Sequence, residues 1–216
     1  MNSFFVSILD IFFPRKCLFC GKLLLNTERT CCPECRKRYS LKGDERLTVY
    51  KDINIYSSFS YTKDVKGAVK KFKFEGKKHI AEDFANEMIA TLLDYGYTKD
   101  SFDSVVYIPL PPERERQRGY NQAKELAKYI AEYFDTTLSS GGLLRRSIHL
   151  QHELKKSMRL KQEKSGFDID LDFKVRGRIL LVDDIVTTGS TVASCVKLLK
   201  TNGAESVIVT TFAKTC

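Results

Sequence analysis

Apolar residues recur along this chain with two different periods, and the two periods take turns. Residues 53 to 61 (INIYSSFSY) alternate and are aromatic-rich, which predicts a strand. Residues 63 to 74 predict a short basic helix, and from 79 to 95 Ile80, Phe84, Met88, Leu92 and Tyr95 return at helical spacing. Ser104 to Pro109 (SVVYIP) predicts a buried strand, followed by a loop holding Pro109, Pro111 and Pro112. A further amphipathic helix is predicted over 120 to 134, then a polar, weakly periodic connection over 143 to 166. Arg178 to Val182 (RILLV) predicts a buried strand, Thr191 to Thr201 a helix closed by Asn202-Gly203, and Ser206 to Phe212 a last strand. Strands alternating with helices predict an α/β fold, a mostly parallel sheet flanked by helices.

The chain has 216 residues, enough for one compact domain and a small module. The boundary is expected between 40 and 52, giving an N-terminal helix and cysteine module over 1–45 and a larger domain over 46–216. With 43% hydrophobic and 29% charged residues, disordered and low-complexity classes are excluded. The apolar run 4 to 13 (FFVSILDIFF) is interrupted by Asp10 and falls short of the ~20 residues that span a bilayer. No basic residue precedes it, so it does not read as a signal peptide, and a cytoplasmic protein is expected. Phe5, Ile8, Leu9 and Phe12 fall at helical spacing. A helix docked on its own protein is the plain reading, with an interfacial helix at the inner face of the membrane or against a partner as the alternative.

The net charge of +9 is local. Residues 63–78 and 145–164 carry +5 each, which leaves the remainder at −1. In the first patch Lys70, Lys71 and Lys73 interleave with Phe72 and Phe74, a pattern that combines charge with stacking surface for single-stranded nucleic acid if the rings face outward. The competing reading puts both rings in the core.

Five of the seven cysteines lie between 17 and 35, as Cys17-Leu-Phe-Cys20 and Cys31-Cys32-Pro-Glu-Cys35. Two C-x-x-C knuckles aim four thiolates at one point, the pattern of a closed structural zinc site. The expected ligands are Cys17, Cys20, Cys32 and Cys35; Cys31 is a spare thiol or a substitute for Cys32.

The stretch Ile179 to Thr191 (ILLVDDIVTTGST) holds the chemistry. A buried strand is expected to end at Val182, at the carboxyl edge where doubly wound folds bind ligands. Asp183 and Asp184 then suit vicinal hydroxyls or a hydrated Mg²⁺ near a sugar. Thr187, Thr188, Gly189, Ser190 and Thr191 supply hydroxyls, close backbone approach and free N–H groups at a helix start, which together form an anion cradle. No G-x-x-x-x-G-K-[ST] motif is present.

This stretch closely resembles the phosphoribosyl pyrophosphate loop of type I phosphoribosyltransferases. The resemblance implies that Asp183 and Asp184 contact the ribose hydroxyls, with Mg²⁺, while residues 187 to 191 hold the 5′-phosphate. Pyrophosphate binds such folds at the turn after an earlier core strand, here PLPPERERQRGYNQ, which offers Arg114, Arg116 and Arg118 for bidentate contacts. Asp183, Asp184, Arg116 and Arg118 are thus the catalytic candidates, with Arg114 a further ligand to phosphoribosyl pyrophosphate. The connection 145–164 falls where these enzymes carry a mobile loop, and brings Lys155, Arg159, His149 and His152 as lesser candidates.

The apolar N-terminal run, the cysteine knuckles, FKFEGKK, ERQRGYNQA, the basic Arg145–Arg159 region with Gln151, and the Asp-Asp-Ile-Val-Thr-Thr-Gly loop together resemble the ComF family of competence-associated proteins. Tyr120 in RGYNQ stands where the family pattern RGFNQ has phenylalanine. Membership implies a cytoplasmic bacterial protein acting in uptake of transforming DNA, on a type I phosphoribosyltransferase fold with a small four-cysteine zinc module. It does not by itself establish a transfer reaction, because fold is not function. The alternative is a protein that binds single-stranded DNA, or adapts a competence helicase, and keeps the fold without transferase activity.

Overall fold

The computed structural model describes residues 14–25, 28, 30–75, 79–139, 141–145, 166–170 and 172–215. The apolar run 4–13, the segment 146–165 with His149, Gln151, His152, Lys155 and Arg159, and Cys216 lie outside the described residues.

The main sheet has six strands: β1 (Leu47–Tyr50), β2 (Ile53–Ser60), β3 (Ser104–Tyr107), β4 (Thr137–Leu138), β7 (Gly177–Val186) and β8 (Ala204–Lys214). Across the sheet they stand in the order β1-β2-β8-β7-β3-β4. Only the β1–β2 pair is antiparallel; β2–β8, β8–β7, β7–β3 and β3–β4 are parallel. The apolar run Ile179 to Val182 lies in the middle and is fully buried, as a parallel strand covered on both faces requires. Strands β5 (Leu143–Arg145) and β6 (Phe167–Ile169) form a separate antiparallel pair.

Helices α1 (Pro33–Tyr39), α2 (Lys63–Phe74), α3 (Ile80–Asp94), α4 (Pro112–Arg118), α5 (Gln122–Tyr133) and α6 (Ser190–Thr201), with two short 3-10 turns over Gly43–Arg46 and Lys99–Ser101, complete the described elements. On one face α2, α3 and α5 bury an aromatic core in which Phe84 stacks on Phe212 with ring centres 3.6 Å apart. The helical periodicity read for α3 is met by Ile80, Phe84, Met88 and Leu92, all buried. On the other face α6 covers the sheet through Val192, Cys195, Val196 and Leu199. Phe167 and Leu143 of the β5–β6 pair join that second core.

The cysteine segment packs directly on the first core. The ring of Phe19 meets Tyr39 and Phe59 edge-on at 5.7 and 5.2 Å, and Arg36 forms a two-pronged pair with Glu87 of α3 at 2.7 and 2.5 Å. Thr30 donates its hydroxyl to the Asp83 carbonyl, and the Leu41 N–H donates to Ser58 of β2. Residues on either side of the 40–52 stretch therefore share one apolar cluster.

Two expectations are corrected. The strand expected to end at Val182 continues to Val186, because Asp183, Ile185 and Val186 go on pairing with Thr211, Ala213 and Lys214 of β8. The stretch expected as a proline-rich loop contains helix α4. Pro112 opens it with a preset φ, Glu113 and Glu115 lie in its first turn, Arg116 and Arg118 in its last, and Gly119 at φ 78° ends it.

Candidate functional site

A cleft of about 200 Å³ opens at the carboxyl edge of the sheet, where β3 stops and β7 runs on. Its walls include Lys73 from α2, Pro109 to Pro111 after β3, Arg114 and Arg118 from α4, Asn121 and Gln122 at the start of α5, Arg145 from β5, Asp183 and Asp184 from β7, and Thr191 from α6. The side chains expected from sequence at this edge, Asp183, Asp184, Arg114, Arg118 and Thr191, are brought together. Arg116 is not: it is exposed and borders a separate hollow with Pro112, Glu115 and Gly119. Positions 114 and 118 are one helical turn apart and share a face, whereas 116 points away from it.

As neighbours on a strand, the two acids leave in opposite directions. Asp184 turns towards α2, where Lys73 Nζ lies 2.5 Å from its Oδ2. Asp183 lies on the side of Cys195 and Arg145, whose titrations both respond to its charge. Asp183 keeps some solvent access but is walled by protein, and this burial, with the charge of Asp184 beside it, raises its carboxyl well above the ordinary range. Its Oδ1 accepts the Asp184 N–H at 2.8 Å, which opposes that rise. Arg145 stacks its guanidinium 4.3 Å over the ring of Phe167, and burial lowers its affinity for its proton.

The segment Arg118 to Gln122 is a positioning element. Arg118 donates to Gln122 Oε1 at 2.7 Å and lies 5.1 Å over the ring of Phe74. Asn121 caps α5 by accepting the Lys124 N–H, and its amide donates to the Ile108 carbonyl, which holds the end of β3.

The Thr187–Thr191 loop has the expected geometry of a strand-to-helix turn. Gly189 sits at φ 73°, and a Cβ there would lie 3.1 Å from the ring of Tyr50. Thr188 and Ser190 hydroxyls are 3.0 Å apart, both exposed. Thr187, Thr188 and Gly189 border a smaller hollow of about 80 Å³ with Tyr50 and Lys214, separate from the main cleft, which of this loop only Thr191 lines. A larger, more open groove of about 760 Å³ runs beside α6 past Lys51, Lys197 and Lys200, and among the described residues no acid lines it.

Sequence reasoning missed Lys73, Asn121, Gln122 and Arg145 as parts of the cleft. Lys73 was visible only as one of a run of lysines. Of its two neighbours, Phe72 is fully buried and Phe74 is 56% exposed, so one ring lies in the core and the other faces outward.

The Sγ atoms of Cys17, Cys20, Cys32 and Cys35 all lie within 4.8 Å of one another, with Cys20 and Cys32 at 3.7 Å. Tetrahedral zinc with Zn–S near 2.3 Å needs sulfurs about 3.8 Å apart, so the four fit a metal ion of that type. Gly21 at φ 78° and the Gly21 N–H to Cys17 carbonyl bond close the first knuckle. Cys31 is buried outside the group, its thiol pushed up to about 12 by that burial.

The sheet order, the acid pair on β7 and the Thr-Gly turn before α6 define a domain of the phosphoribosyltransferase class, and the model of the family "Phosphoribosyl transferase domain" matches residues 152–215. The DNA utilization protein YhgH of Salmonella typhimurium is 32% identical, across 74% of this chain and 72% of its own length. Its counterpart in Escherichia coli is 28% identical across 92% and 90%. Competence protein ComFC of Streptococcus pneumoniae is 29% identical across 89% and 96%. The chain belongs to the ComF family.

Proposed function

We propose that this chain binds phosphoribosyl pyrophosphate with Mg²⁺ in the Asp183–Asp184 cleft and works in the uptake and processing of transforming DNA. The carrying observation is the meeting of two carboxylates with Lys73, Arg114, Arg118 and Arg145 around one cleft. Four cations against two acids suit a ligand rich in phosphate that also presents hydroxyls.

Asp183 and Asp184 accept hydrogen bonds from the ribose 2′- and 3′-hydroxyls and are the residues that would hold Mg²⁺. The metal, when bound, supplies positive charge to the diphosphate. The N–H groups at the start of α6 and the hydroxyls of Thr187, Thr188, Ser190 and Thr191 receive the 5′-phosphate. Arg114 and Arg118 take the pyrophosphate oxygens, and their charge offsets what builds up there as the C1–O bond lengthens. Cys17, Cys20, Cys32 and Cys35 hold zinc in a structural role.

The DNA-related role is supported by relatives described as competence and DNA utilization proteins. Cytoplasmic placement is part of the same reading; the described cysteines form no disulfide and four of them gather in a metal-type cluster, as reducing compartments favour. No described helix is long and apolar enough to cross a membrane. A second reading, single-stranded DNA binding without transfer, is favoured by exposed Phe74 beside Arg118, a base-stacking surface. Steep loss of single-strand affinity with salt is its test.

Calorimetric titration with phosphoribosyl pyrophosphate and Mg²⁺, beside Asp183→Asn/Asp184→Asn, tests the first reading. Binding lost in the variant supports it and opens the search for an acceptor. No binding by folded, metal-loaded wild type rejects it.

A further inference from the structure

The last turn of α2 sends three consecutive side chains to three places. Phe72 is fully buried against Phe84, and its carbonyl accepts the Tyr120 hydroxyl. Phe74 lies outside, beneath the Arg118 guanidinium. Lys73, between them, enters the cleft and meets Asp184.

The two side chains of that pair are only 19% and 14% exposed, so their attraction is less screened than that of a surface pair. Yet Asp184 Oδ2, itself buried, accepts no hydrogen bond from any described residue. At 2.5 Å the contact is a close pair of opposite charges, for which an incoming anion can compete. Lysine suits this, as a compact charge on a flexible stem. Arg118 is the opposite case, fixed by Gln122 and by the ring of Phe74.

We propose that Lys73 is an exchange residue: in the free chain its ammonium neutralises Asp184, and when a diphosphate enters the cleft it moves to the phosphate oxygens and releases the carboxylate. The proposal rests on the reading of the cleft as a phosphoribosyl pyrophosphate site and assigns it a residue that the loop motif does not contain. Asp184 then serves both ligand halves. It withholds the cation while the cleft is empty, and becomes available to ribose hydroxyls once the phosphates have taken Lys73. The anchoring of Phe72 keeps the lysine stem within reach of both partners.

Asp184 and an incoming anion thus compete for one ammonium, which makes their effects on binding coupled and reciprocal. The test is titration of the full chain with inorganic pyrophosphate in the absence of metal, for wild type, Asp184→Asn, Lys73→Gln and the double variant. Asp184→Asn is expected to bind about tenfold more tightly than wild type, and Lys73→Gln about tenfold more weakly. The gain from Asp184→Asn should vanish in the double variant. A gain that persists without Lys73, or no gain at all, overturns the exchange. Should Lys73→Gln not fold, Lys73→Met, which keeps the stem without its charge, takes its place in the single and the double variant. A gain from Asp184→Asn that survives beside Lys73→Met then overturns the proposal, and a gain that vanishes there upholds it. Phosphoribosyl pyrophosphate with Mg²⁺ is titrated in parallel. Failure there with the pyrophosphate coupling intact removes the ligand reading and leaves the exchange standing, and the reverse pattern does the opposite.

Discussion

Tyr120 donates its hydroxyl hydrogen to the backbone carbonyl of Phe72, joining the segment before α5 to the last turn of α2. The two rings also lie 5.8 Å apart, so the contact is both polar and apolar. Tyr120→Phe removes the first and keeps the second. A loss of about 1 kcal/mol is expected, the net value of one such bond, read by denaturant unfolding with an unchanged slope.

The face-sharing of Arg114 and Arg118 separates three arginines that look alike in sequence. Arg114→Gln and Arg118→Gln should each weaken phosphoribosyl pyrophosphate binding by about tenfold, the loss of one charge-assisted contact. Arg116→Gln, on the far face of α4, should leave the affinity where it was. Calorimetry on the three single variants decides; equal losses in all three would refute the assignment.

Elemental analysis should find one metal ion per chain. Cys32→Ser should lose it, while Cys31→Ser should retain it, since the Cys31 thiol lies outside the cluster of four. Because the knuckles pack on α3 and β2, metal loss should also cost global stability. A loss of about 3 kcal/mol would lower Tm by roughly 6–12 °C in a chain of this size.

The raised carboxyl of Asp183 carries a pH dependence in the metal-free protein. Its folded form holds a proton more tightly than its unfolded form, so folding is penalised as pH rises. The penalty is absent below the ordinary carboxylate range, grows between that range and the raised value, and is complete above it. Asp183→Asn should therefore be more stable than wild type at neutral pH, with the difference fading towards acid. Thermal melts across pH would show it, and a variant less stable than wild type at neutral pH would contradict it.

Much of the fold is legible locally. The burial of Ile179 to Val182 and the regular return of Ile80, Phe84, Met88 and Leu92 are written in short windows, because a strand or helix face needs only its own residues to declare a period. Short strands such as β4 and β6 have too few residues to show one. Helix α4 has no apolar stripe at all and is held by its ends, by Pro112 and Gly119. That is why its proline-rich start reads as loop.

The same division runs through the site. Covalent order alone supplies the acid pair, the Thr-Gly turn and the four-cysteine spacing, since each is a run of neighbours whose chemistry follows from adjacency. Packing is what gives Asp183 and Asp184 different partners, turns Arg116 out of the cleft and brings Lys73 to Asp184. Those outcomes depend on how α2, α4 and β7 come together, and a charge on one helix carries no local sign of the carboxylate that packing across the sheet sets beside it.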